Sequence, residues 1–138
     1  MKANTTGRAA EDILAGVMVA MGIAFDQQCV IGETIYHKRL RVDFVLHNIA
    51  SFPRGLIVES KWQDVGGTAD EKFPYLVENI YQAYPLPAMV VIHGGGCCPG
   101  ALAYIRKRVN GQQFVAVYSL EEFVSWALRV EKLSSVLR

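Results

Sequence analysis

Residues Leu56 to Gln63 read Leu-Ile-Val-Glu-Ser-Lys-Trp-Gln. Three leading apolar residues and Trp62 give this run the look of a buried β-strand, yet Glu59 and Lys61 interrupt it. Side chains alternate between the faces of a strand, so Ile57, Glu59, Lys61 and Gln63 share one face and Leu56, Val58, Ser60 and Trp62 the other. The polar groups therefore converge. A second run, "RLRVDFVLH" from Arg39 to His47, holds the acid Asp43 among apolar neighbours. Alternation there places Leu40, Val42, Phe44 and Leu46 on one face and Arg41, Asp43, Val45 and His47 on the other. Between the two runs, "NIASFPR" at 48–54 has the composition of a turn. A hairpin folded about Ser51 sets Asp43 opposite Glu59. Two carboxylates directly across a sheet repel each other, so a positive charge should lie between them: the Lys61 ammonium, or a divalent cation, which prefers several hard oxygen ligands. The alternative is a solvated Glu–Lys face on an edge strand. The apolar flanks of both runs favour a central, buried position.

Upstream, "AAEDILAGVMVAMG" at 9–22 spaces Ile13, Val17 and Met21 at helical intervals, which predicts an amphipathic helix ended by Gly22. "CVIGETIY" from Cys29 predicts a first strand before the Arg39–His47 strand. Downstream, Thr68 is a candidate helix N-cap followed by Asp70 and Glu71. Pro74 directs the main helix to about 74–83, and Pro-Leu-Pro at 85–87 ends it. "AMVVIH" at 88–93 reads as a buried strand, "ALAYIRKRVN" as a helix and "QFVAVYS" as a strand. A last helix follows, with Leu120, Phe123, Val124, Ala127, Leu128 and Val130 as its apolar face. The order α-β-β-β-α-β-α-β-α predicts an α/β fold, a mixed central sheet flanked by helices, in one domain spanning 1–138.

The 138 residues are half hydrophobic and one-fifth charged, with a formal net charge of +1. That is the composition of a globular chain and excludes a global basic field for polyanions. The start lacks the apolar core of a signal peptide and no run approaches a membrane span, so a cytoplasmic location is expected. Cys29, Cys97 and Cys98 lack zinc-site spacing, as do His37, His47 and His93, and the thiols read as structural. The glycine turn "HGGGCCPG" from His93 is neither a P-loop nor a dinucleotide fingerprint, and the chain has no Gly-x-Ser-x-Gly to accompany it as an esterase loop.

Asp43 in "RVDFV" together with Glu59-Ser60-Lys61 in "IVESKWQ" resembles the PD-(D/E)XK nuclease superfamily, the restriction-endonuclease-like fold. The resemblance covers about residues 7–93, whose order α-β-β-β-α-β looks like the family core, with an extra helix, strand and C-terminal helix beyond it. The proline of the family name is replaced by Val42. The resemblance implies a metal-dependent DNA endonuclease. Asp43 and Glu59 would bind Mg²⁺, for which Mn²⁺ can substitute, with the Ser60 carbonyl as a further ligand. Lys61 would act on the attacking water and on the charge of the transition state. "GRAAEDIL" supplies Gly7 and Glu11 where family members carry a glutamate that reaches the metal, and Gln63 matches the polar residue that follows the lysine. Phosphate contacts are expected chiefly from Arg41 and Lys72, then Lys38 and Arg39. A weakly charged monomer suits assembly into a homodimer on DNA. The alternative is a catalytically silent nucleic-acid-binding or assembly protein on the same fold.

Overall fold

The computed structural model describes residues 2–63, 72–94 and 98–133. Within them the elements run α1 (Lys2–Ala20), β1 (Ala24–Glu33), β2 (Arg39–His47), β3 (Leu56–Trp62), α2 (Phe73–Gln82), β4 (Ala88–His93), α3 (Pro99–Lys107), β5 (Phe114–Tyr118) and α4 (Leu120–Arg129). The expected α/β order is present. The strands form one mixed sheet in the order β1-β2-β3-β4-β5. The pairs β1/β2 and β2/β3 are antiparallel, whereas β3/β4 and β4/β5 are parallel. Parallel neighbours need a crossover, and α2 and α3 supply it.

Two apolar layers sandwich the sheet. On one side Phe73, Leu76, Val77 and Ile80 of α2 and Ile105 of α3 pack on Ile57, Val90 and Phe114. On the other, Leu14 and Met18 of α1 and Phe123, Trp126 and Ala127 of α4 pack on Phe44, Leu46, Val58, Met89 and Val91. The central strands β3 and β4 are covered on both faces, which is why their sequences are nearly continuous apolar runs. Glu59 therefore lies inside a central strand, and the edge-strand alternative does not hold.

The β2/β3 hairpin has the expected register, with Phe44 opposite Val58, Val45 opposite Ile57 and Leu46 opposite Leu56. The expected alternation along β2 fails at one point. Leu40, Val42 and Val45 pack on the α2 side while Phe44 and Leu46 pack on the α1 side. The neighbouring strand turns over at the same level, since Phe25 packs on the α1 side and Cys29 and Ile31 on the α2 side. The cause lies at Gln28, whose left-handed backbone (φ 55°) sits between the pairs Gln27–Phe44 and Cys29–Val42, across from Asp43.

Local chemistry fixes the remaining ends. Gly22 (φ 72°) closes α1, with the Ile23 amide donating to the Met18 carbonyl in a Schellman turn. β1 begins at Ala24 and stops at Glu33, so the structure starts the first strand before the expected Cys29 and leaves its expected Thr34–Tyr36 end in a turn. Pro74 sits in the first turn of α2 with Lys72 as N-cap, while Thr68, Asp70 and Glu71 lie outside the described residues. In α4 the buried residues are Phe123, Trp126 and Ala127, and Leu128, expected on the apolar face, is exposed. Ser119 and Glu122 form a reciprocal capping box at its start. No described helix is long and apolar enough to cross a membrane.

Candidate active site

The β2/β3 ladder stops at Phe44–Val58, one residue short of the two acids. Their carboxylates take over the backbone pairing there. The Asp43 amide donates to Glu59 Oε1 (3.1 Å), and the Ser60 amide donates to Asp43 Oδ2 (2.8 Å). Each acid thus accepts from the opposite strand, and the pair meets where the sheet opens. Glu59 is buried at 4 % exposure, and its other oxygen accepts from the buried Tyr84 hydroxyl, just beyond α2. Burial and the negative charge of Glu59 hold the Tyr84 phenol well above its ordinary range, so it stays a donor.

Two like charges in a partly desolvated gap disfavour ionisation. Burial first and Glu59 second push the Asp43 carboxyl up to about 6, against which the Ser60 amide and the Lys61 charge work only partly. From the β1 side, Gln28 Nε2 donates to Asp43 Oδ1 (3.4 Å) and to Glu11 Oε1 on α1 (2.8 Å). Glu11 is thereby tied to the acid pair, and burial followed by the charge of Asp43 raises its carboxyl above the usual range. The left-handed backbone that turns the strands over also presents Gln28 for this bridging.

On the α2 side, Glu59 and Lys61 line a cleft of about 330 Å³ with Tyr84, Arg39, Arg41 and Lys72. Of the expected phosphate contacts, Arg39, Arg41 and Lys72 therefore reach the cleft, whereas Lys38 is exposed in the β1–β2 turn, outside that lining. Other cations are engaged elsewhere. Arg54 donates to the Pro85 carbonyl (2.9 Å), Arg106 pairs with Glu122 (3.6 Å) and Arg108 lies over Tyr104 (5.9 Å). Gln63 is buried, its backbone amide donates to the His93 carbonyl (2.9 Å), and it is not among the residues lining the cleft. Gly94 (φ 84°) presses against it, so that a Cβ there would stand 2.6 Å from the Gln63 carbonyl oxygen. Of the glycine turn that follows, Gly95, Gly96 and Cys97 lie outside the described residues. Cys98 caps α3 and Cys29 is partly buried.

Tyr84 and Gln28 are the site residues that sequence reading does not supply. Gln28 follows only from the β1/β2 register, and Tyr84 only from the way α2 ends over β3. Among the described residues no three histidine, cysteine or acidic side chains gather closely enough to hold an ion by themselves. The donor set at the gap nevertheless suits a hard cation that keeps several waters, since such an ion needs one or two carboxylates. Each oxygen of Asp43 and Glu59 takes one hydrogen bond and retains accepting capacity. The Ser60 carbonyl lies on the same strand edge as the amide that meets Asp43.

No curated protein and no solved structure matches this chain. A family model described as the PD-(D/E)XK nuclease superfamily domain matches residues 2–131, from α1 through the end of α4. Its reach extends the resemblance seen at 7–93 to nearly the whole chain, and with the Asp43, Glu59 and Lys61 arrangement it gives the identity: this chain belongs to the PD-(D/E)XK nuclease superfamily.

Proposed function

We propose that this nuclease domain is a DNA endonuclease that hydrolyses phosphodiester bonds with the help of Mg²⁺ at Asp43 and Glu59. One observation carries the reading: both acids replace ladder bonds at the same gap, next to a lysine that shares a cleft with one of them. Buried like charges cost stability, and a domain gains nothing from keeping them unless a cation or a reaction uses them. PD-(D/E)XK nucleases generally use divalent metals. When bound, the ion supplies Lewis acidity toward a phosphate oxygen and makes water a stronger acid.

The chain's own residues have separable tasks. Asp43 and Glu59 hold negative charge at the gap, with the Ser60 carbonyl as a further oxygen donor. Tyr84 fixes the rotamer of Glu59 by donating to its outer oxygen, and Gln28 holds Glu11 toward Asp43. Lys61 orients or deprotonates the attacking water and offsets the charge that develops on the phosphorane-like transition state. Arg39, Arg41 and Lys72 neutralise flanking phosphates. Gln63, buried at the end of β3, positions the strand that carries Lys61. A purely DNA-binding role is disfavoured, because two carboxylates facing a polyanion weaken binding.

The test is nicking of supercoiled plasmid with Mg²⁺, with and without EDTA, by wild type, Lys61→Ala and Glu59→Gln. Loss of about a hundredfold or more in rate is expected for both variants, with unchanged circular dichroism. Cutting by either variant at the wild-type rate would overturn the assignment.

A further inference from the structure

The β1–β2 turn does not project freely. Its Ile35 amide donates to Asn79 Oδ1 of α2 (2.8 Å), and Tyr36 stacks on Tyr75 at 5.2 Å between ring centroids and 23° between planes. Asn79 in turn donates to the Tyr75 carbonyl (3.0 Å), which fixes the helix side of the contact. The stack is unusual in its exposure, with Tyr36 67 % and Tyr75 38 % accessible. One face of Tyr36 is covered by its partner while most of its surface meets solvent. Tyr75 and Thr34 also line the cleft that holds Glu59 and Lys61. Leu40, Phe73 and Leu76 give the cleft an apolar lining, and Arg39, Arg41 and Lys72 line it as well.

Aromatic face, apolar wall and cations form the combination that tracks a single strand, because bases stack on the rings while Lys and Arg neutralise the backbone. In a duplex those base faces are already covered by their neighbours. The cleft, about 330 Å³, has the volume of a small-ligand pocket.

Building on the nuclease reading, we propose that the cleft receives an unpaired DNA strand, with a base stacked on Tyr36 and its phosphates led past Arg39, Arg41 and Lys72 to Glu59 and Lys61. The substrate class is then single-stranded or locally unpaired DNA, such as a frayed end or flap, in preference to continuous duplex.

The measurement is fluorescence anisotropy in EDTA with a labelled oligothymidylate, a blunt duplex of equal length and an oligouridylate. Wild type should bind oligothymidylate at least about tenfold more tightly than duplex. Tyr36→Ala should lose about tenfold in oligothymidylate affinity, within the range that one stacked base contributes, and leave duplex affinity unchanged. Tyr36→Phe, which keeps the ring, should bind as wild type. If Tyr36 merely fastens the turn, Tyr36→Ala lowers both affinities alike, and that result overturns the proposal, as does equal binding of duplex and single strand by wild type. Tighter binding of the oligouridylate would overturn the assignment to DNA. The two readings fail separately. Selective binding with no cleavage of any substrate in Mg²⁺ or Mn²⁺ removes the nuclease reading and leaves the platform. Preferred binding and cutting of duplex, insensitive to Tyr36→Ala, removes the platform and leaves the nuclease.

Discussion

Asp43→Asn should make the metal-free protein more stable at neutral pH while abolishing its activity. The folded Asp43 carboxyl is pushed from an ordinary 3.8 up to about 6 by burial and by Glu59. The folded state therefore holds the proton more tightly than the unfolded chain. Between about pH 4 and 6 the native state binds more protons than the unfolded one, so the stability this group contributes is complete below the unfolded value and is lost as pH rises. At about 1.4 kcal/mol per pH decade the loss reaches about 3 kcal/mol. The amide of Asn does not ionise, yet its carbonyl can still accept from the Ser60 amide now bonded to Asp43 Oδ2 at 2.8 Å. Urea denaturation in EDTA, followed by circular dichroism from pH 4 to 7.5, measures the difference directly. Relative to wild type, the variant should gain about 3 kcal/mol across that range, since titrations away from Glu11 and Glu59 cancel in the comparison. Mg²⁺ should then restore the wild type alone, by about 2.7 kcal/mol at a hundredfold excess over its dissociation constant. Parallel stability curves for the two proteins, or equal stabilisation of both by Mg²⁺, would refute the account of a strained acid pair awaiting a cation.

Two further outcomes test the site's supports. Tyr84→Phe removes the donor to the buried Glu59 carboxylate. It should cost about 1.5–3 kcal/mol in urea denaturation, the worth of a hydrogen bond to a charged group, and should lower cleavage by loosening the Glu59 rotamer. Gly94→Ala places a Cβ 2.6 Å from the Gln63 carbonyl oxygen at a backbone φ of +84°. The αL penalty alone is about 1–2 kcal/mol, so a clear drop in melting temperature is expected. An unchanged melt would mean that the β3 and β4 ends are not packed as described.

Much of this fold was legible because apolar runs and turn residues act locally. "AMVVIH" maps onto β4 residue for residue, and the Asn48–Arg54 turn fixes the hairpin register that sets Asp43 against Glu59. The misreadings fall where a tertiary contact overrides a period. Simple alternation groups Leu40 and Val42 with Phe44 and Leu46, yet they pack with Val45 on the α2 side, because Gln28 adopts a left-handed backbone and β1 and β2 turn over together at that level. The same event hides Gln28 from sequence reading, since nothing in "DQQCV" distinguishes it from Gln27. Helical spacing puts Leu128 on the apolar face of α4, yet the helix turns Trp126 inward in its stead. Tyr84 is not legible in the sequence because its role depends on α2 stopping over Glu59, a matter of packing that no local pattern encodes.

The geometry also explains why alanine is the wrong probe for the two acids. In an ordinary ladder the amides of Asp43 and Ser60 would donate to backbone carbonyls, but here they donate to the carboxylates of Glu59 and Asp43. Removing either side chain would leave a part-buried amide unpaired, at about 1–3 kcal/mol, and loss of activity would then be confounded with loss of fold. Asn and Gln keep an acceptor oxygen in nearly the same place and remove only the charge. The acids are thus backbone caps and charged groups at once, and only the second role requires ionisation. A variant that keeps the caps and loses the charge should therefore fold at least as well as wild type and fail to cut, a combination that a merely structural acid pair would not produce.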